Sequence, residues 1–203
     1  MTDRTDDLVS VALAFGFEHA ALMDPAAAAV RPEVREMCAA NLCGSFGRSW
    51  SCPPACGTLD NSRRLLAGYG SGLLVQTTGT LEDAFDYDTM VALGELQKQR
   101  LMSFRAHLRP RFPRLTALGN GACTVCNHCT YPVRPCVHPD QMLQSMEAAG
   151  LVVSDVCVQN GLGYYYGPGT LTYTGCLLLE PRRDGQRASI PVANSAADAA
   201  SGA

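Results

Sequence analysis

The sequence has little excess positive charge and no long hydrophobic run, and these absences exclude classes of function. Its 203 residues contain 16 basic and 19 acidic side chains, which gives a formal net charge of −3. Nucleic acid and anionic lipid bind cationic surfaces, so neither is an expected partner. No apolar run approaches the roughly 20 residues that span a bilayer. Because the opening residues, MTDRTDDLVSVALAFGF, carry three Asp where a signal peptide would be positive, we expect a cytoplasmic protein.

Cysteine, by contrast, is abundant, with ten residues in the chain. A reducing compartment disfavours disulfides, so metal binding is the leading explanation for so many thiols. Eight of the ten fall into two groups of four. We call these the first quartet (Cys38, Cys43, Cys52 and Cys56) and the second quartet (Cys123, Cys126, Cys129 and Cys136).

The hydrophobic pattern predicts an α+β fold, a small mixed sheet with flanking helices and two cysteine-rich cluster-binding loops. Helices are expected over about 6–15, 32–40, 58–66, 87–108 and 139–150, and strands over 17–23, 71–80, 151–158 and 170–180. Glycine and proline interrupt regular structure in the two cysteine-rich loops, 41–57 and 119–137. Residues 1–180 are predicted to form a single iron–sulfur-binding domain. Residues 181–203 cannot bury enough surface to fold and are predicted to be a disordered tail.

The second quartet has the spacing C-x2-C-x2-C-x6-C, and its first three positions are typical of a [4Fe–4S] site. A ferredoxin run has its fourth cysteine three residues on and followed by proline, so Cys136 departs from that pattern. Structural zinc is the alternative, but zinc sites usually use two separated cysteine pairs. His128 or His138 is a less favoured substitute for one thiolate. We expect Pro139 to begin a helix whose positive end stabilises the Cys136 thiolate.

The first quartet has the less specific spacing C-x4-C-x8-C-x3-C. A second cluster is favoured, with structural zinc or buried reduced thiols as alternatives. Trp50, the only tryptophan, lies two positions before Cys52, where its ring would either shield a cluster from water or pack in the core. Cys157 and Cys176 lie in predicted strands outside both quartets and are expected to be small buried hydrophobic residues.

Cys38 and Cys43, together with the strings FGRSWSCPPAC, CTVCNHC and PCVHP, resemble a family of small cysteine-rich proteins of anaerobic bacteria and archaea. That family is described only as predicted metal-binding proteins of unknown function. The resemblance runs over about residues 31–180. It implies metal binding by all eight quartet cysteines and no particular reaction.

The expected function is electron transfer through two [4Fe–4S] clusters to an unidentified redox protein or enzyme. One alternative is a metalloenzyme with an open iron site, which would follow if Cys136 did not ligate. Another is an interaction module stabilised by zinc at one or both sites, in which the metal supplies folding energy. The sequence indicates no catalytic residue and no oligomeric state.

Overall fold

The computed structural model describes residues 6–180, so the predicted disordered tail, 181–203, lies outside the described residues. The described residues form five α-helices and a five-stranded mixed sheet, which confirms the α+β class. The helices are α1 (Asp6–Phe15), α2 (Pro32–Ala39), α3 (Leu59–Ala67), α4 (Tyr87–Leu108) and α5 (Val153–Gln159). The strands are β1 (His19–Met23), β2 (Ser71–Thr80), β3 (Arg114–Gly119), β4 (Gln144–Ser145) and β5 (Thr170–Glu180). None of these helices is long and apolar enough to cross a membrane.

The sheet has the strand order β1-β2-β5-β3-β4, so the strand that comes last along the described chain lies at its centre. β5 pairs antiparallel with β2 along ten residues, from Ser71 opposite Leu179 to Thr80 opposite Thr170. Its other edge pairs antiparallel with β3. β4 then adds to β3 in parallel.

Helices pack on both faces of the sheet, and the alternation of side chains along each strand separates two hydrophobic cores. On β2, Leu73 and Val75 face one core, with Phe104 of α4. Leu74 faces the other core, with Leu66 of α3. The sheet is therefore buried on both sides, which fixes the strand register because a one-residue slip would exchange the two faces.

The elements around the first quartet hold a long irregular segment. α2 begins with Pro32 and ends at Ala39, and α3 begins after Thr58, whose hydroxyl accepts the Asn61 N–H at 3.2 Å. Between them lie residues 40–58, the first loop, which contain no helix or strand. Gly44 and Gly47 adopt φ values of 70° and 67°, a region that favours glycine, so the chain reverses tightly between its cysteines.

The helix predicted over 139–150 is wrong. Residues 120–143, the second loop, are irregular and lead into β4, which pairs with Leu118 and Gly119. The Ser145 hydroxyl accepts the backbone N–H of Ala148 at 3.0 Å. Such local bonds compete with helical ones, and the pairing of β4 with β3 takes up the backbone groups that a helix would use.

The strand predicted over 151–158 is also wrong, because this segment forms the helix α5. Its valines favour a strand by propensity, but tertiary packing decides. Val156 and Cys157 pack into the second core, whereas Val158 is exposed. The sequence does not predict β3. Its six residues lie between Pro113 and the second loop and show too short an alternation of hydrophobic and polar side chains to indicate a strand.

Candidate metal centre

The first quartet is gathered where α2 meets the first loop. Cys38 lies in the last turn of α2, and Cys43, Cys52 and Cys56 follow along the loop. Burial raises the pKa of the Cys38 thiol, and the charges of Cys43 and Cys52 raise it further. Burial also raises the pKa of Cys56, to which Cys52 and Cys38 add. The four sulfurs are therefore near enough to repel one another when ionised.

Arg35 supplies a positive charge to the first quartet. Its Nη1 donates to the carbonyl oxygen of Gly57 at 3.1 Å, whereas its Nε and Nη2 are buried and have no hydrogen-bond partner among the described residues. Burial is the largest influence on the pKa values of Cys38 and Cys56 and raises both, and Arg35 is the strongest influence that lowers them. Two unused buried donors beside a group of thiols fit an anionic centre at this position.

The second quartet lies in the second loop and lines a small cavity of about 20 Å³. All four of its cysteines border that cavity, together with His138. Burial raises the pKa of the Cys126 thiol, and the charges of Cys123, Cys136 and Cys129 add to the increase. The four cysteines of the second quartet therefore share one cavity and lie within electrostatic range of Cys126.

Cys129 differs from the other cysteines, because its surroundings favour the thiolate. Burial raises the pKa of its thiol, but hydrogen bonds from the backbone N–H groups of Tyr131, Trp50 and Thr130 and from the Ser49 hydroxyl outweigh burial. The net pKa lies below the ordinary value of 9.0. Convergent N–H and O–H donors of this kind stabilise a sulfur anion before any metal arrives.

The structure gives Cys136 no helix end, because residues after Pro139 form turns and not the predicted helix. The electrostatic argument from a helix end is therefore wrong. Cys136 still lines the second-quartet cavity, and so does His138, the alternative fourth ligand.

The two loops are docked on each other through residues 49–51. The Ser51 hydroxyl accepts the backbone N–H of Cys123 at 3.1 Å and lies 3.8 Å from the Cys52 sulfur. The indole Nε1–H of Trp50 donates to the Arg134 carbonyl at 3.0 Å, and its ring meets Tyr131 edge to face at 5.0 Å. The only tryptophan therefore packs against the second loop and borders the second-quartet cavity.

A larger, open cavity of about 500 Å³ adjoins the second quartet. Cys123, Cys126 and Cys129 lie on one side of it, and Arg48, Glu95 and other polar residues line the rest. Lys98 binds Glu95 at 2.9 Å, and Thr124 donates to its other oxygen at 3.1 Å. A volume of this size is in the range of small-molecule sites.

Cys157 and Cys176 are fully buried in the second core, as predicted, although Cys157 lies on a helix and not on a strand. Burial raises the pKa of Cys176 to about 12. Burial also raises the pKa of Cys157, against hydrogen bonds to Thr174 and Gln76.

Within residues 6–180, no three His, Cys, Asp or Glu side chains form a group that could hold a metal ion. A model of the family "Predicted metal-binding protein (DUF2284)" matches residues 21–179. The chain belongs to this family. The match to the predicted metal-binding family contains both quartets, and the ten cysteines fit the metal-binding role that its description gives. No curated protein and no solved structure matches the chain significantly.

Sequence reasoning missed three polar residues at these sites: Arg35, Ser49 and Ser51. Ser49 and Ser51 flank Trp50 in FGRSWSC, and a turn closed by the Cys52 N–H on the Ser49 carbonyl brings their hydroxyls within 3.0 Å of each other. Arg35 precedes Cys38 by three residues on α2 and therefore lies on the same helix face, which is a weak signal.

Proposed function

We propose that this protein holds two [4Fe–4S] clusters, one on each quartet, and passes electrons between them and a redox partner protein. The first quartet would supply four thiolates to one cluster and the second quartet four to the other. When bound, each cluster supplies a one-electron couple whose potential depends on burial, nearby charge and hydrogen bonds to sulfur.

The observation that carries the proposal is that the loops bearing the two quartets dock on each other through residues 49–51, and that all four cysteines of the second quartet line one cavity. Members of each quartet raise one another's thiol pKa values, after the effect of burial. Cys52 also feels the charges of Cys123 and Cys129, which belong to the other quartet. Centres held on the two quartets would therefore lie within electrostatic range of each other.

The chain's own residues make each position suitable for a negatively charged centre. At the first quartet, Arg35 offers a buried charge with two unused donors. At the second, backbone N–H groups and the Ser49 hydroxyl hold the pKa of the Cys129 thiol below its ordinary value, against the effect of burial. Hydrogen bonds and charges of this kind adjust the potential of a thiolate-bound centre.

Exposed apolar side chains next to the quartets support a docking partner. Leu42 precedes Cys43 and is 95% exposed, and Val133, in the second loop, is 86% exposed. Met37 and Val137, beside Cys38 and Cys136, are also exposed. Apolar groups around a redox centre favour a short-lived protein contact that brings a second centre close.

The test is anaerobic purification followed by iron, sulfide and zinc assays with a visible absorption spectrum. We expect about eight iron and eight sulfide per chain, from two four-iron clusters. Cys126→Ser should remove half of the iron. Cys157→Ser is the matched control, because the Cys157 sulfur already has hydroxyl and amide neighbours that a serine can bond, and it should keep both clusters.

Stoichiometric zinc without inorganic sulfide would refute the clusters and favour the zinc-stabilised interaction module. Loss of iron in the Cys157 variant would place a ligand in the second core and contradict the assignment to the quartets.

A metalloenzyme is the second candidate, and the cavity of about 500 Å³ favours it. Arg48 on its wall has no ion pair among the described residues and faces a space bordered by three cysteines of the second quartet. An anionic small molecule would find a cation and a metal-binding edge there. An exchangeable fourth iron at the second quartet, detected by chemical oxidation to a three-iron form in the unmodified protein, would support this reading.

A further inference from the structure

The cavity of about 500 Å³ opens where the first loop, the second loop and α4 meet. Arg48 lines it from the first loop, Asn127 from the second loop and Glu95 from α4. Three cysteines of the second quartet border the remaining side. Segments that are distant in the sequence therefore form one concave surface, whose volume is in the range of small-molecule sites.

Hydrogen bonds between these segments hold the walls of the cavity in place. The Thr124 hydroxyl donates to the Glu95 carboxylate at 3.1 Å and ties the second loop to α4. The Cys123 N–H donates to the Ser51 hydroxyl at 3.1 Å and ties the second loop to the first. The cavity is thus formed before any ligand arrives, and binding does not have to order its walls.

The carboxylate on the wall is already engaged within the protein. Lys98 binds one oxygen of Glu95 at 2.9 Å, and Thr124 donates to the other. The Lys98 side chain is only 14% exposed, so its charge lies close to the carboxylate and offsets it. Glu95 is therefore a weak barrier to an incoming anion.

Two donors on the wall, by contrast, are unused. The side chains of Arg48 and Asn127 make no hydrogen bond, ion pair or ring contact in the part of the chain that the structure describes. The Ser45 hydroxyl is already bonded, to the Cys43 carbonyl at 3.5 Å. A free guanidinium and a free amide beside an offset carboxylate select a ligand that is negatively charged and rich in acceptors.

The cysteine side of the cavity selects a different kind of group. A cysteine side chain is weakly polar and packs as a small hydrophobic residue. A single inorganic anion at the guanidinium would leave most of the volume to solvent, because about 500 Å³ corresponds to roughly 17 water molecules at about 30 Å³ each. An organic anion fills the cavity when its apolar part lies against the sulfurs, and this orientation keeps its charge away from any thiolate of the quartet.

We propose that this cavity binds a small organic oxyanion, a carboxylate or a phosphate ester, whose charged group pairs with Arg48 and Asn127 and whose apolar part faces the second quartet. Arginine presents paired N–H donors that match two oxygens of either group. The inference rests on the proposed function only in naming a ligand for its second candidate, since binding itself requires no metal on either quartet.

The test is isothermal titration calorimetry on the full purified chain, with iron and sulfide measured on the same sample. The probes are acetate, inorganic phosphate, benzoate and phenyl phosphate, and benzamide is the neutral counterpart of benzoate. We expect benzoate and phenyl phosphate to bind more tightly than acetate and phosphate, because only they fill the apolar side. We expect no binding of benzamide.

Two substitutions that remove opposite charges locate the site. Arg48→Gln should weaken the binding of benzoate and phenyl phosphate about tenfold or more, because it removes hydrogen bonds from a charged group. Glu95→Gln keeps an acceptor for Thr124 but no longer offsets Lys98, so binding should tighten about twofold to fivefold. Arg109→Gln is the matched control and should leave affinity unchanged, because Arg109 is exposed at the end of α4 and does not line the cavity.

The site would be overturned if benzoate and phenyl phosphate bound no more tightly than about 10 mM, or if Arg48→Gln bound them as tightly as the unmodified protein. Weaker binding in Glu95→Gln would also overturn it, since a merely structural role of the wall predicts a loss in both variants. Equal affinities for acetate and benzoate would overturn the organic class of the ligand. Absence of iron and sulfide would refute the proposed clusters, whereas these affinities decide the anion site separately.

Discussion

Replacing Trp50 should make iron leave the second quartet faster than the first, because this side chain links the two loops directly. Trp50→Phe keeps a ring against Tyr131 but leaves the Arg134 carbonyl without its donor at 3.0 Å. One such hydrogen bond contributes about 1 kcal/mol, which corresponds to roughly a fivefold change in the opening equilibrium. Trp50→Ala also loses the edge-to-face contact, worth about 0.5–1.5 kcal/mol, so the combined effect is roughly 30-fold.

The assay is the rate at which iron passes from the loaded protein to an excess of chelator under anaerobic conditions. Half of the iron, assigned to the second quartet with the Cys126→Ser protein, should leave about fivefold faster in Trp50→Phe and about 30-fold faster in Trp50→Ala. Phe85→Ala is the matched control, because Phe85 is 90% exposed and lies outside both loops. Equal acceleration of both halves, or no change in either variant, would refute the idea that Trp50 holds the loops together.

Four further outcomes follow from the sites. Cys136→Ala should lower iron content or give a three-iron form, whereas His138→Ala should keep four irons at the second quartet, as counted by iron assay and resonance spectra. Arg35→Gln should lower the potential of the first-quartet cluster by the equivalent of about 1.5–3 kcal/mol, the contribution of a hydrogen bond to a charged group, and leave the second unchanged in a redox titration. Cys176 should resist alkylation at pH 8 in the folded protein, because burial raises its pKa to about 12 and leaves little thiolate. Because of that raised pKa, Cys176 makes its full contribution to the free energy of unfolding below about pH 9. The contribution is lost as pH rises toward 12, which denaturant unfolding would measure.

The first three predictions would each be contradicted by a specific result. Full iron in Cys136→Ala with loss in His138→Ala would assign the fourth ligand to the histidine, and full iron in both would favour the enzyme with an exchangeable iron. A shift in potential confined to the second-quartet cluster in Arg35→Gln would show that the guanidinium does not act on the first-quartet cluster. Alkylation of Cys176 as fast as that of an exposed cysteine would show that the second core opens readily.

Elements with strong periodicity could be predicted from sequence nearly to the residue. The strand over 71–80 and the helix over 87–108 coincide with β2 and α4, because a buried β-branched run and a long segment ended by prolines leave few alternatives. The region 139–158 could not be predicted. There, the Ser145 hydroxyl accepts the backbone N–H of Ala148, and Val156 of α5 packs into the second core, so these contacts outweigh local propensity.

The spacing of the cysteines defines the two quartets, but it does not indicate which residues surround them. The fall in the pKa of Cys129 depends on Trp50 and Ser49, about 80 positions away along the chain, as well as on its own neighbours. No local pattern reports a contact of that range. The position of Trp50 near Cys52 predicts either a shield for the first quartet or core packing, yet its indole reaches Arg134, 84 residues further on.

The position of β5 at the centre of the sheet has a consequence for how the molecule assembles during synthesis. The ribosome releases both quartets before it releases residues 170–180, the strand that must enter between β2 and β3. Until then β2 has only β1 as a neighbour, and a two-stranded ribbon is marginally stable in water. All eight quartet cysteines have therefore left the ribosome while the sheet is still open. Closure of the sheet then joins partners about 100 residues apart, a kind of contact that forms slowly. Throughout that interval the thiols lie on a chain whose central strand is still missing.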